Sequence, residues 1–239
     1  MGTSTSVDRA ESLIALRRVP SALPLVAAGS FTIFALLALS VPDRGGFPGD
    51  RWVLSFLTRI APVSQAAVHP DGLVTGTVAF VSVIAGLVAL WFVRTRRWRS
   101  AFFLGGSIGG TLALSSLAKL IVQRPAIEGA NTHSFPSGTA AWAMAAAAAA
   151  VILAHSPQGR VWVAGAGAIL VVFCSGIVIW EEWHYATDVL GGWCLALGWA
   201  ALLGSVLLRG EARQGRSVAA VSGAGPWGRT RPSKSSSSE

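Results

Sequence analysis

The sequence predicts an all-α integral membrane protein built as a six-helix bundle. Of its 239 residues, 52% are hydrophobic and only 13% are charged, which leaves too little polar surface for a soluble globule. The mean hydropathy of +0.57 agrees. Apolar runs of about 20 residues, the length that crosses a bilayer core, follow one another with short connections. We therefore expect one membrane domain, from residue 21 to residue 208.

Charged or turn-forming segments separate the predicted spans. These spans are residues 21–41, 73–93, 101–118, 136–155, 160–180 and 185–208. The third is rich in glycine and serine and the fourth contains the alanine run Ala145–Ala150, so both allow close helix packing. Between the first two spans, residues 51–59 have apolar side chains at helical spacing and are predicted to lie along the membrane interface.

Polar tails are predicted at both ends, over residues 1–20 and 209–239. The second is basic and ends in a serine run, a composition that cannot bury a core and predicts disorder. An even number of spans puts both tails on one side. Arginines concentrate in the tails and in residues 94–99, which predicts that this side is cytoplasmic. The net charge of +8 thus reflects membrane orientation, and no nucleic acid partner is expected.

A histidine and a carboxylate begin the last span. His184 and Asp188 are four residues apart and share one helical face. A carboxylate that accepts a hydrogen bond from one ring N–H fixes the tautomer and leaves the other nitrogen free to attack an electrophile. The alternative is a polar helix start, where the helix dipole favours negative charge.

The predicted topology brings further polar residues to the same outer face. They are Lys119, Arg124, His133, Ser137 and Gly138. Two cations and a Pro-Ser-Gly helix start, whose backbone N–H groups can approach a ligand, suit a phosphate group. Taken singly, Lys119 is explained as a snorkelling anchor, Ser137 as an N-cap and Arg124 as a loop charge. Together with a nucleophilic imidazole they predict a phosphohistidine that water hydrolyses.

Neither a metal site nor a cofactor is indicated by the sequence. Cys174 and Cys194 both lie in apolar runs and have no close cysteine or histidine at metal-ligand spacing, so a disulfide framework is not indicated either.

Three blocks of residues resemble the membrane-bound type 2 phosphatidic acid phosphatases, a family that shares its helical core with the vanadium haloperoxidases. The blocks are Lys119 with Arg124-Pro125, then Pro136-Ser137-Gly138, and His184 with Asp188. The resemblance implies a metal-independent six-helix phosphatase of lipid phosphates, in the plasma (inner) membrane, with its site facing outward. It makes His184 the nucleophile and Asp188 its orienter. It also implies phosphate binding by Lys119, Arg124, Ser137 and Gly138.

The sequence departs from the family pattern at three places. The family's Arg-Pro would fall on Ala126-Ile127, its general-acid histidine on Thr139, and its Ser-Arg on Ile177-Val178. A general acid contributes about 10²–10⁴-fold in rate, and His133 is a possible replacement proton donor. Because the nucleophile and its orienter are retained, we expect a phosphatase of isoprenoid or glycerolipid (di)phosphates. The alternative is a catalytically weakened or inactive relative that binds a lipid phosphate or a membrane partner.

Overall fold

The computed structural model describes the backbone of residues 5–42, 45–60, 70–125, 127, 133–154 and 156–223, and the side chains of residues 22–42, 45–60, 75–125, 127, 133–154 and 156–209. This part of the chain folds into helices joined by short connections. The helices are α1 (Thr5–Ser40), α2 (Pro48–Ile60), α3 (Pro70–Arg94), α4 (Trp98–Val122), α5 (Gly138–Leu153), α6 (Pro157–Trp180) and α7 (Ala186–Gly223).

The predicted all-α membrane bundle is confirmed. Helices α1 and α3 to α7 coincide with the six predicted spans, and α2 coincides with the predicted interfacial segment. Long apolar windows that can cross a membrane occur in α1, α3, α4, α6 and α7. Helix α5 is apolar but has only 16 residues, a rise of about 24 Å. Its alanines at 140, 141, 143, 145 and 149 are fully buried, so it contacts neighbouring helices more than lipid.

Two helices run past the predicted ends of the membrane domain. Helix α1 begins at Thr5 and α7 continues to Gly223. Residues 209–223 are therefore helical where the sequence predicted disorder, because this segment contains good helix formers such as Glu211, Ala212 and Arg213. Residues 224–239 of the predicted tail lie outside the described residues, and so do 1–4 and His155, the predicted end of the fourth span.

Helix α5 lies at the centre of the bundle against α4, α6 and α7, and α1 packs along α7. Small residues bring these helices close together: Ala141, Ala145 and Ala196 form one buried cluster. The indole N–H of Trp199 donates to the carbonyl of Gly106 at 2.8 Å and so joins α7 to α4. This packing holds the ends of α4, α6 and α7 and the start of α5 together.

Candidate active site

The sequence predicted His184 and Asp188 on one helical face, but His184 lies in the turn before α7, which begins at Ala186. This turn between α6 and α7 sets His184 beside Asp188. The backbone N–H of His184 donates to the carbonyl of Val178 at 3.1 Å, which fixes the turn against α6. Asp188 Oδ2 accepts the backbone N–H of Tyr185 at 3.0 Å and lies 3.7 Å from Nδ1 of His184. Asp188 is fully buried. His184 Nδ1 is buried without a hydrogen-bond partner, and Asp188 Oδ2 is the carboxylate oxygen that faces it.

Arg124 lies inside the site, with 1% of its surface exposed. Its Nη1 donates to Asp188 Oδ1 at 2.5 Å and to Thr187 Oγ1 at 2.8 Å. Its Nη2 lies 3.4 Å from Asp50 Oδ2, and the guanidinium stacks 4.0 Å from the centre of the Tyr185 ring. Sequence analysis left Arg124 as either a phosphate ligand or an unrelated charge. The structure shows that its charge is shared between two carboxylates and that it holds Asp188 in place.

Asp50, in the first turn of α2, is a site residue that sequence analysis missed. It is 3% exposed, and its carboxylate accepts the backbone N–H of Thr187 at 2.8 Å and the Thr187 hydroxyl at 3.0 Å. It also accepts the N–H of Phe47 at 2.8 Å. An acidic residue in the first turn of an amphipathic helix is an ordinary feature. Nothing in its local sequence indicates a partner 137 positions away.

The start of α5 is fixed against α7. The Ser137 hydroxyl accepts the N–H of Ala140 at 3.4 Å and so caps α5, while the Ser137 N–H donates to the Asp188 carbonyl at 2.9 Å. Two glycines permit this approach. A β-carbon on Gly192 would lie 2.6 Å from the Ser137 carbonyl oxygen, and one on Gly191 would lie 2.5 Å from the Phe135 ring. Ser137 and Gly138 therefore adjoin Asp188, with the hydroxyl engaged as the N-cap.

The other predicted residues lie around this centre. Lys119, in the last turn of α4, is half-buried and within electrostatic range of Asp188. His133 pairs with Pro125 through the backbone, next to Arg124, and does not line the pocket described below.

Two positions that depart from the family pattern are also described. Val178, where the family has an arginine, is fully buried in an apolar cluster. Thr139, where the family has a histidine, is half-buried.

A pocket of about 210 Å³ opens beside His184. It is lined by Gly45, Gly46, Asp50, Arg51, Leu54, Ile127, Ile179, His184 and Tyr185. Pockets for drug-sized ligands measure about 300–1,000 Å³, so this one suits a headgroup better than a whole lipid. The Arg51 side chain contributes a positive charge to the lining of this pocket.

Comparisons with known proteins agree with this reading. A family model described as the PAP2 superfamily matches residues 100–209. A crystal structure described as the first transmembrane PAP2-type phosphatidylglycerolphosphate phosphatase, from Bacillus subtilis, is similar in fold with a TM-score of 0.59. The two sequences are 18% identical, and the match covers 79% of this chain and 96% of that one. No curated protein matches the sequence. The resemblance seen in the sequence is thus confirmed: residues 100–209 match the PAP2 superfamily model, and the fold is similar to that of a transmembrane PAP2-type phosphatase.

Proposed function

We propose that this protein is an integral membrane phosphatase of lipid phosphates that forms a phosphohistidine on His184. The observation that carries the proposal is the orientation of the imidazole. Its Nδ1 faces Asp188 at 3.7 Å, and Asp188 is held in turn by Arg124. The match of residues 100–209 to the PAP2 superfamily model and the structural similarity to a membrane phosphatase support hydrolase activity.

The chemistry follows from this orientation. The Arg124 ion pair holds the Asp188 carboxylate in place, where it can accept a hydrogen bond from the Nδ1–H of His184 and so fix the tautomer. Nε2 then attacks the terminal phosphorus, so that an N–P bond forms as the bond from that phosphorus to the leaving-group oxygen breaks; this oxygen belongs to the lipid alcohol in a monophosphate and to the lipid monophosphate in a diphosphate. Lys119 does not line the pocket but lies within electrostatic range of Asp188, and its proposed role is to stabilise at longer range the charge that develops on the phosphoryl oxygens. Water next attacks phosphorus, the N–P bond breaks, and inorganic phosphate leaves.

The leaving group decides which lipid phosphates suit the site. A lipid monophosphate expels an alkoxide, which needs a proton, and Thr139 cannot supply one at neutral pH. A lipid diphosphate expels a phosphate monoester, which leaves as a stable anion. Within the isoprenoid and glycerolipid phosphates, we therefore propose a preference for diphosphates. His133 stays the proposed proton donor for any monophosphate turnover.

A second candidate is a relative that binds lipid phosphate and turns it over slowly or not at all. The observation that favours it is the charge balance, because Asp50 and Asp188 both pair with Arg124 and buried Val178 replaces a cation. Phosphate release from a panel of lipid mono- and diphosphates by the purified protein in detergent separates the two. Release supports the phosphatase, whereas orthovanadate binding without release supports the second candidate.

We also propose that both ends of the chain are cytoplasmic and that the site faces the outer side of the inner membrane. Four arginines lie at one end of the bundle, in the junction between α3 and α4: Arg94, Arg96, Arg97 and Arg99. Lys119, Ser137 and His184 lie at the opposite ends of helices α4, α5 and α6. Arginine-rich junctions favour the cytoplasmic side.

A further inference from the structure

The first turn of α2 forms part of the wall of the pocket beside His184. Asp50, Arg51 and Leu54 line that pocket together with His184 and Tyr185. The interfacial helix therefore contributes to the site directly, although the family match begins only at residue 100.

The cations near His184 differ in what they can offer a phosphate group. Arg124 is buried and already pairs with Asp50 and Asp188. Lys119 is not among the residues that line the pocket. Arg51 lines it with an exposed side chain, and across the described ranges no carboxylate forms an ion pair with it. Arg51 is thus the cation best placed to receive an anion entering this pocket.

Contacts of its neighbours hold Arg51 in position. Asp50 ties the first turn of α2 to Thr187 and Arg124 through the hydrogen bonds given above. The preceding turn is equally confined, since a β-carbon on Gly46 would lie 2.7 Å from the Tyr185 ring. The backbone at Arg51 is therefore fixed relative to His184, which reduces the entropy lost when its side chain binds a ligand.

Two aromatic residues on α2 indicate how deep in the membrane Arg51 lies. Trp52 and Phe56 stack with their ring centres 5.6 Å apart, and both are largely exposed. Exposed aromatic side chains of membrane proteins concentrate at the interface, level with the lipid headgroups. An arginine next to Trp52 then lies at the depth of a lipid phosphate.

We propose that Arg51 binds the phosphate group of the substrate, so that the interfacial helix α2 supplies a cation that positions 126 and 178 lack. This inference rests on the proposed function, because the pocket takes a phosphate only if His184 is its reaction centre. The ligand is the phosphate monoester or diphosphate end of a membrane lipid. A guanidinium offers two parallel N–H donors to such a group.

The test compares Arg51→Gln, Arg51→Lys and Arg59→Gln with the natural protein, each checked for an unchanged thermal unfolding midpoint. Arg59 lies on the same helix and is exposed, but it does not line the pocket, so it is the matched control. Binding of orthovanadate, which stands in for phosphate, is measured by calorimetry in detergent. Dioleoyl phosphatidic acid in mixed micelles forms the second arm.

We expect Arg51→Gln to weaken orthovanadate binding about tenfold to a hundredfold, the effect of losing a charge-assisted hydrogen bond. Arg51→Lys should recover part of the loss, and Arg59→Gln should bind like the natural protein. A loss confined to the micelle arm would show that Arg51 contacts lipid and not the phosphate group, and would overturn the proposal. Equal orthovanadate binding by Arg51→Gln and Arg59→Gln would also overturn it, while leaving the proposed function standing. No orthovanadate or lipid binding by the natural protein would overturn both.

Discussion

The Arg124 guanidinium and the Asp188 carboxylate form a buried ion pair, with Nη1 2.5 Å from Oδ1. The pair joins the end of α4 to the start of α7, and Asp50 extends it to α2. Asp188 uses its other oxygen toward Tyr185 and His184. The orientation of the proposed nucleophile thus depends on a charge network that spans three helices.

Replacing Arg124 tests this network. Arg124→Gln leaves two buried carboxylates without their cation, and removing one partner of a buried pair costs about 3–5 kcal/mol. We expect that loss in the free energy of unfolding, measured by reversible denaturation in detergent. Arg59→Gln, on the exposed surface of α2, serves as the control and should change stability by less than about 0.5 kcal/mol. An Arg124→Gln protein as stable as this control would show that the network contributes nothing.

The close contact between α5 and α7 gives a second prediction. In Gly192→Ala the new β-carbon meets the Ser137 carbonyl at 2.6 Å, so α5 must shift away from Asp188. We expect a loss of about 1–3 kcal/mol in stability, together with lower phosphatase activity. At Gly105, within α4, a β-carbon has nothing within 4 Å, and Gly105→Ala should be neutral or stabilising by up to about 1 kcal/mol. Equal unfolding midpoints for the two variants would contradict the packing argument.

Thr139 gives a prediction about substrate preference. If the site lacks a general acid, lipid diphosphates should have a higher kcat/KM than monophosphates of the same chain. Thr139→His should then raise monophosphate turnover more than diphosphate turnover. The measurement is kcat/KM for a matched pair of substrates in both proteins. Equal values for the pair, with no selective gain in the variant, would mean that the proton comes from another group, with His133 the first to examine.

The proposed orientation is tested by cysteine labelling. Single cysteines at Ser4, Asn131 and Ser236 are introduced after Cys174 and Cys194 have been replaced. A reagent that cannot cross the membrane should label position 131 from outside and the other two only after the cytoplasmic side is opened. Labelling of position 131 from the cytoplasmic side alone would invert the topology and move the site with it.

The sequence allowed the bundle to be predicted because membrane spans are encoded locally, by length and hydropathy. The closeness of His184 and Asp188 was predicted from four-residue spacing on a helix, but His184 lies before α7, and the turn between α6 and α7 brings the two side chains together. The helical state of residues 209–223 was not predicted, because the polar composition was taken to indicate disorder. The partners of Arg124 were not predictable either. Asp50 is 74 positions away along the chain, and no periodic pattern connects residues so distant.

The most direct test of the central claim compares phosphate release from a lipid diphosphate by the natural protein and by His184→Ala, at equal concentration in the same detergent. The unfolding midpoints of both proteins are measured first, so that a loss of activity is assigned to His184 only in a folded variant. We predict that the natural protein releases phosphate and that the folded His184→Ala protein releases none. Phosphate release by His184→Ala at the natural rate would contradict the assignment of His184 as the nucleophile.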